Sequence, residues 1–198
     1  MANLSDNMHD GNQNLQTVAH GNGMFLKNGG KFSQLQLKIF LYLISQLPKC
    51  AAGPIPALCV SLRTLRAIIT DNWDQSVGEV RMDEILKGLA SLPASVRESS
   101  GYVILTTWFD FIRVSPARDS YVFQFNPVLQ PFLMHLTKNF TLYQLGYVLQ
   151  MRSPNAIRLY DLLKSIAYRE EYTMDLDELR FCMGMLKLNE DGSVAERA

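Results

Sequence analysis

Apolar residues recur at helical spacing over most of this chain, and the period switches to alternation in one central stretch. The densest helical pattern is SQLQLKIFLYLISQL, from Ser33 to Leu47, with Ser33 placed as an N-cap and Pro48 beyond the end. Leu35, Leu37, Ile39, Phe40, Leu41, Leu43, Ile44 and Leu47 cover almost every face, so this helix is buried on more than one side. Either its own chain surrounds it or one face meets a partner subunit. Lys49 to Ala57 holds Gly53, Pro54 and Pro56 and reads as a loop, and Leu58 to Val60 reads as a short strand. Ser61 then caps a brief helix carrying Leu62, Leu65, Ile68 and Ile69. Asp71 to Gln75 breaks the pattern. From Ser76 a longer helix runs to Leu92 with Val77, Val80, Ile85, Leu89 and Leu92 inward, stopped by Pro93.

After Gly101 the pattern alternates. Tyr102 to Val114 reads as one strand, Ser115 to Ser120 as a turn, and Tyr121 to Phe125 as the return strand of a hairpin. Helix, short helix, longer helix and hairpin is the order of a winged-helix unit. Asn126 and Pro127 open a further helix through Leu129, Phe132 and Leu133. Three short helices follow between Phe140 and Met185. Thr141 precedes Leu142, Leu145, Val148 and Leu149. Ser153 and Pro154 start a helix that places Ile157, Tyr160, Leu163 and Ala167 on one face. Asp175 and Glu178 have capping-box spacing before Leu176, Leu179, Cys182 and Met183, and Gly184 is placed to end that helix. The first residues, Met1 to about Asn22, are polar without a sustained period and read as a disordered leader, with a short ordered lead-in over Met24 to Gly30.

Two of these stretches carry more than a period. AIRLYDLL, Ala156 to Leu163, followed by LDELR, Leu176 to Arg180, resembles the second winged-helix domain of the Rep-type plasmid replication initiators. FTLYQL, Phe140 to Leu145, is similar to the family's entry into that domain, and the Ser33 to Leu47 helix is similar to the one that opens its first domain. The resemblance spans roughly residues 24–186. It implies an α+β fold of tandem winged-helix domains: a disordered polar leader over 1–23, a first (dimerisation) domain over 24–137, a partial second domain over 138–186 and a flexible tail over 187–198. Family members continue past the second motif into a basic recognition helix and a second wing. Here LKLNEDGSVAERA follows, with Glu190, Asp191 and Glu196 against Lys187 and Arg197, so the second domain is expected to be incomplete, lacking both.

The resemblance also implies a function: a DNA replication initiator that binds repeats in double-stranded origin DNA, recruits host replication proteins and, as a homodimer, represses its own gene. The phosphate contacts it implies are Arg81 and Lys87 on the Ser76 to Leu92 helix, Arg113 and Arg118 on the wing, and Lys138, Thr141, Arg152 and Arg158 in the second domain. Each has a plainer reading as a solvated surface group, and Arg158 stands three residues before Asp161, the spacing of an intrahelical ion pair. Trp108, Phe109 and Phe111 read either as a stacking platform for single-stranded DNA or as core residues of their strand.

Charge complicates that function. Formal net charge is zero, whereas phosphate neutralisation supplies most of the affinity of a free-standing DNA binder. A second reading therefore stands beside the first: a dimeric winged-helix interaction module, or repressor, lacking sequence-specific DNA reading. Catalysis finds no motif. His9 and His20 fall in the leader, His135 is isolated, and no metal-ligand spacing or phosphate-cradling Gly-Lys-Ser/Thr loop occurs, so neither metal nor cofactor is expected. Cys50, Cys59 and Cys182 are odd in number and unpaired in spacing, which argues against a disulfide framework. With no signal peptide and no membrane-length apolar run, a cytoplasmic protein is expected.

Overall fold

Helix α1 (Gln34–Ser45) runs through the middle of the core in the computed structural model, which describes residues 16–21, 32–49, 53–69, 79–97, 102–134, 136, 140–188 and 194–197. It starts with a capping box: the Ser33 hydroxyl accepts from the Gln36 amide, and the Gln36 side chain accepts from the Ser33 N–H at 2.9 Å. Every residue from Leu37 to Ile44 is buried. Of the two readings left open for this helix, the first holds. Its own chain covers that segment on all sides, and no face of it is left for a partner.

Strand β2 (Leu58–Ser61), helix α2 (Leu62–Ile69) and helix α3 (Glu79–Ala90) follow. Helix α3 buries Met82, Leu86 and Leu89 and leaves Ile85 only half-buried, so its inner face is turned from the expected one. The alternating stretch is two strands rather than one. Strand β4 (Val103–Thr107) pairs with β3 (Pro93–Arg97), and β5 (Phe109–Val114) pairs with β6 (Ser120–Phe125), which also pairs with β2 to give a sheet of order β2-β6-β5. Proline is tolerated at Pro93 because it is the first residue of its strand. Trp108 marks the switch between the two sheets. Its indole is fully buried and meets the Phe40 ring edge-on at 4.8 Å, with Phe32 at 6.0 Å. Trp108 and Phe109 are therefore core residues, not a stacking platform, and only Phe111 of the three reaches the surface.

Asn126 caps a 3-10 turn (Pro127–Leu129) that runs into α4 (Gln130–Leu133). Strand β7 (Phe140–Gln144), α5 (Leu145–Leu149), α6 (Pro154–Ile166), α7 (Leu176–Cys182), β8 (Leu186–Leu188) and β9 (Val194–Arg197) complete the order. Ser153 and Asp175 are the N-caps expected for α6 and α7. Gly184, at φ +71°, ends α7 in a Schellman arrangement, with the Met185 N–H donating to the Arg180 carbonyl at 2.8 Å.

Three expectations are corrected. The polar leader is not structureless throughout: Thr17–Gly21 is strand β1, antiparallel to β7, with Val18, Ala19 and His20 buried. Thr141 accordingly sits in a strand and not at a helix start. Across the expected boundary at 137/138, Val18, Tyr143, Leu145, Val148 and Ile157 share one hydrophobic cluster with α1. Helix α6 is rotated by about one residue: Ile157, Arg158, Asp161, Leu162 and Ser165 are inside, while Leu163 and Ala167 are exposed. The cause is a buried polar partner, His20, that no apolar pattern reveals. Finally, part of the expected flexible tail is a hairpin, β8 pairing antiparallel with β9 directly after α7; among the described residues no recognition helix stands there. The disordered stretch expected before β1 (1–15), the Met24 to Gly30 lead-in, Ser76, Asp71 to Gln75 and Lys138 lie outside the described residues.

No helix of the described residues is long and apolar enough to cross a membrane. Trp108→Ala removes the hinge of the core and is expected to lower stability by about 3–5 kcal/mol, measured by urea denaturation. A loss under about 1 kcal/mol would show that the switch between the two sheets does not depend on the indole.

Candidate nucleic-acid interface

The start of α2 is tied to the turn of the β5–β6 wing. The Ser61 hydroxyl accepts from the Thr64 amide at 3.0 Å and so caps the helix, while the Leu62 N–H donates to the Asp119 carbonyl at 2.7 Å. The turn is fixed by its own polar groups: the Ser115 hydroxyl donates to the Asp119 carboxylate at 2.7 Å, and the Arg118 amide donates to the Ser115 carbonyl at 3.0 Å. Hydrogen bonds from Ser115 and Ser120 hold the Asp119 carboxyl below its usual range. Arg118 adopts a left-handed φ of 55°, unusual for a residue with a side chain.

Between these two elements lies an open cleft of about 300 Å³, lined by Ser61, Leu62, Arg63, Arg66, Ala117, Arg118 and Asp119. Three arginines and one aspartate are among its lining residues. Helix α2 turns Leu62, Leu65, Ile68 and Ile69 into the core, which puts Arg63 and Arg66 on the outer side at i, i+3 spacing. Arg118 also forms an ion pair with Asp83 of α3, and the Tyr121 hydroxyl approaches the other oxygen of that carboxylate at 3.4 Å. Asp83 thus braces the wing against α3. A cleft of this kind suits the oxygens of a phosphate group, since planar guanidinium groups supply paired donors.

The residues expected to meet phosphate fall into several groups. Arg118 lines the cleft. Arg81 and Lys87 are exposed on α3, and Arg113 is exposed on β5 with its guanidinium 5.0 Å from the Phe111 ring centre. Arg152 is exposed on the connection between α5 and α6. Thr141 and Arg158 are corrections. Thr141 is buried opposite His20 in the β1–β7 pair, and Arg158 is buried with its Nη1 donating to the Cys182 carbonyl at 3.4 Å. Neither presents its side chain to a nucleic acid in this arrangement. Gly184 lies so close to Arg158 that an added Cβ would meet Nη1 at 3.0 Å. Arg63 and Arg66 were missed, although their place opposite the apolar face of α2 was visible; what the sequence hides is the wing turn beside them.

A family profile described as "Initiator Replication protein, WH1" matches residues 17–164. Among solved structures, a crystal structure of Pi initiator protein in complex with iteron DNA superposes with a TM-score of 0.73 at 16% identity, covering 93% of this chain and 79% of that one. A WH1 domain of the MSBI1.176 replication protein, isolated from a multiple sclerosis patient, covers 54% of this chain and 75% of its own at 14% identity, with a TM-score of 0.31. Among curated proteins none matches. The fold is that of a winged-helix replication initiator. This chain belongs to the initiator replication protein family, whose WH1 profile spans β1 through most of α6.

Because Ser61 both caps α2 and lines the cleft, Ser61→Ala is expected to cost about 1 kcal/mol of stability by thermal or urea denaturation. An unchanged midpoint would mean that the Leu62–Asp119 backbone bond alone fixes the helix start.

Proposed function

We propose that this protein initiates plasmid DNA replication by binding repeats in duplex origin DNA, with the wing root and α2 set against the phosphate backbone. The observation that carries this reading is the cleft of Arg63, Arg66 and Arg118 in a chain of the initiator family. The Pi initiator, whose fold this chain shares, binds iteron DNA, which supports direct repeats as the target class. The protein acts by binding and positioning, with no chemistry of its own, in the cytoplasm. It recruits host replication proteins once seated. Arg81, Lys87 and Arg113 are proposed as flanking phosphate contacts, with Arg152 and Lys138 as further ones.

A formal net charge of zero does not oppose this, because phosphate contact is local. The test is fluorescence anisotropy with a duplex of direct repeats over a range of salt. Arg63→Ala with Arg66→Ala is expected to weaken binding to all duplex sequences alike and to reduce the slope of log affinity against log salt by about one to two. Unchanged affinity and slope would rule out the cleft as a phosphate contact.

A dimeric state has its own support. The β3–β4 sheet leaves Leu105 81% exposed, and Tyr102, just before β4, is 75% exposed, an apolar surface suited to a second copy of the chain. Dimers joined there would serve autorepression, or restrain a longer initiator as an interaction module. Leu105→Asp is expected to convert dimer to monomer in sedimentation velocity; a wild-type chain that sediments as a monomer at high micromolar concentration would exclude this surface as a dimer face.

A further inference from the structure

The buried polar groups of this protein gather at one seam. Among the described residues, His20, Thr141, Arg158, Asp161 and Ser165 are buried and belong to β1, β7 and α6; Lys38 of α1 is the other. Everywhere else the core is aliphatic and aromatic. The imidazole of His20 is the centre of the seam. Its Nε2 lies 2.8 Å from the Asp161 Oδ1, and its Nδ1 lies 3.1 Å from the Gly21 carbonyl oxygen. Both neighbours are acceptors. A neutral imidazole donates through one nitrogen only, so this pair of contacts is complete when both nitrogens carry protons.

The surroundings enclose the pair. Tyr143 of β7 meets the His20 ring edge-on at 6.1 Å, and its own hydroxyl is pushed well above its ordinary value by burial and then by the Asp161 charge. Tyr160 of α6 packs on Tyr143 at 5.3 Å, and Tyr147 of α5 stands beyond it. Arg158, buried on α6, reaches the Cys182 carbonyl and so joins the seam to α7; burial lowers its pKa and raises that of the Cys182 thiol. Helix α1 closes the other side with Leu37 and Leu41 beside Tyr143 and Asp161, and it carries the buried Lys38. Helix α4 brings no titratable side chain to β1.

Opening an apolar core exposes surface that water disfavours. Opening this seam instead rehydrates His20, Asp161 and Arg158, whose desolvation was costly. The seam is therefore the part of the core whose closure depends on a charged pair. We infer that the His20–Asp161 pair is a proton-operated latch that holds strand β1 against helix α6. With the proton lost, the contact between β1 and α6 weakens and both elements open more often, while the amides of α1 keep their own helical hydrogen bonds.

The direction with pH follows from the ring's surroundings. Burial opposes its charge, but the Asp161 charge and hydrogen bond, with the Gly21 carbonyl, outweigh that and raise the pKa above the ordinary value of about 6.5. A raised folded-state pKa means the latch is fully set below about pH 6.5 and weakens as pH rises through the folded value.

Amide hydrogen exchange of the full chain, corrected for intrinsic exchange rates, tests this alongside an NMR titration of the His20 Cε1 proton. The expected result is a His20 midpoint above about 6.5. Between that pH and the midpoint, protection of Val18, Ala19 and the α6 amides falls by up to tenfold per pH unit, then levels off, while α1 is unchanged. His20→Gln, which keeps a neutral donor, is expected to abolish the pH dependence and leave β1 at its weakly protected level; if that variant does not fold, the wild-type titration decides alone. A His20 midpoint at or below about 6.5, or β1 protection that does not change through the midpoint, would overturn the latch.

Discussion

The burial of α1 on every side is the constraint from which the remaining structure follows. A helix whose residues Leu37 to Ile44 are all inside needs cover from several directions, and β1, α2, α3, α5 and α6 all pack on it. Each fully buried aliphatic or aromatic side chain there contributes on the order of 1.5–3 kcal/mol relative to exposure, enough in sum to hold distant parts of the chain together. This explains why Thr17–Gly21 and the helices beyond Phe140 belong to one core. Residues on both sides of position 137 take part in that packing.

Local signals were legible where a residue acts on its own neighbours. Ser33, Ser61, Asn126, Ser153 and Asp175 all cap as their identities suggest, and the wing turn lies where SPARDS stands. Signals failed where burial depends on a partner far along the chain. Five residues inside a polar leader show no period, yet β7 makes them a strand. Helix α6 looks apolar through Leu163, but the real inner face carries Asp161 and Arg158 because His20 and the Cys182 carbonyl receive them. Trp108 hides in a run rich in residues that suit a strand, so the switch between two sheets leaves no clear mark.

The candidate interface has the same character. A helix with Arg63 and Arg66 on its outer side is ordinary, and a turn with Arg118 is ordinary; the Leu62–Asp119 backbone bond makes one cleft of them. Phosphate contact of this sort orients a protein on duplex DNA without reading bases. The cleft and the polar seam are built from different elements, α2 with the wing turn in one case and β1, β7 and α6 in the other.

The most direct measurement is an NMR titration of the isotopically labelled chain with a direct-repeat duplex, following backbone amide shifts. Shifts concentrated in Ser61 to Arg66 and in Ser115 to Ser120, weakening as salt rises, are the expected result. Shifts confined to the β3–β4 hairpin or to α6 and α7, with the wing root silent, would contradict the account.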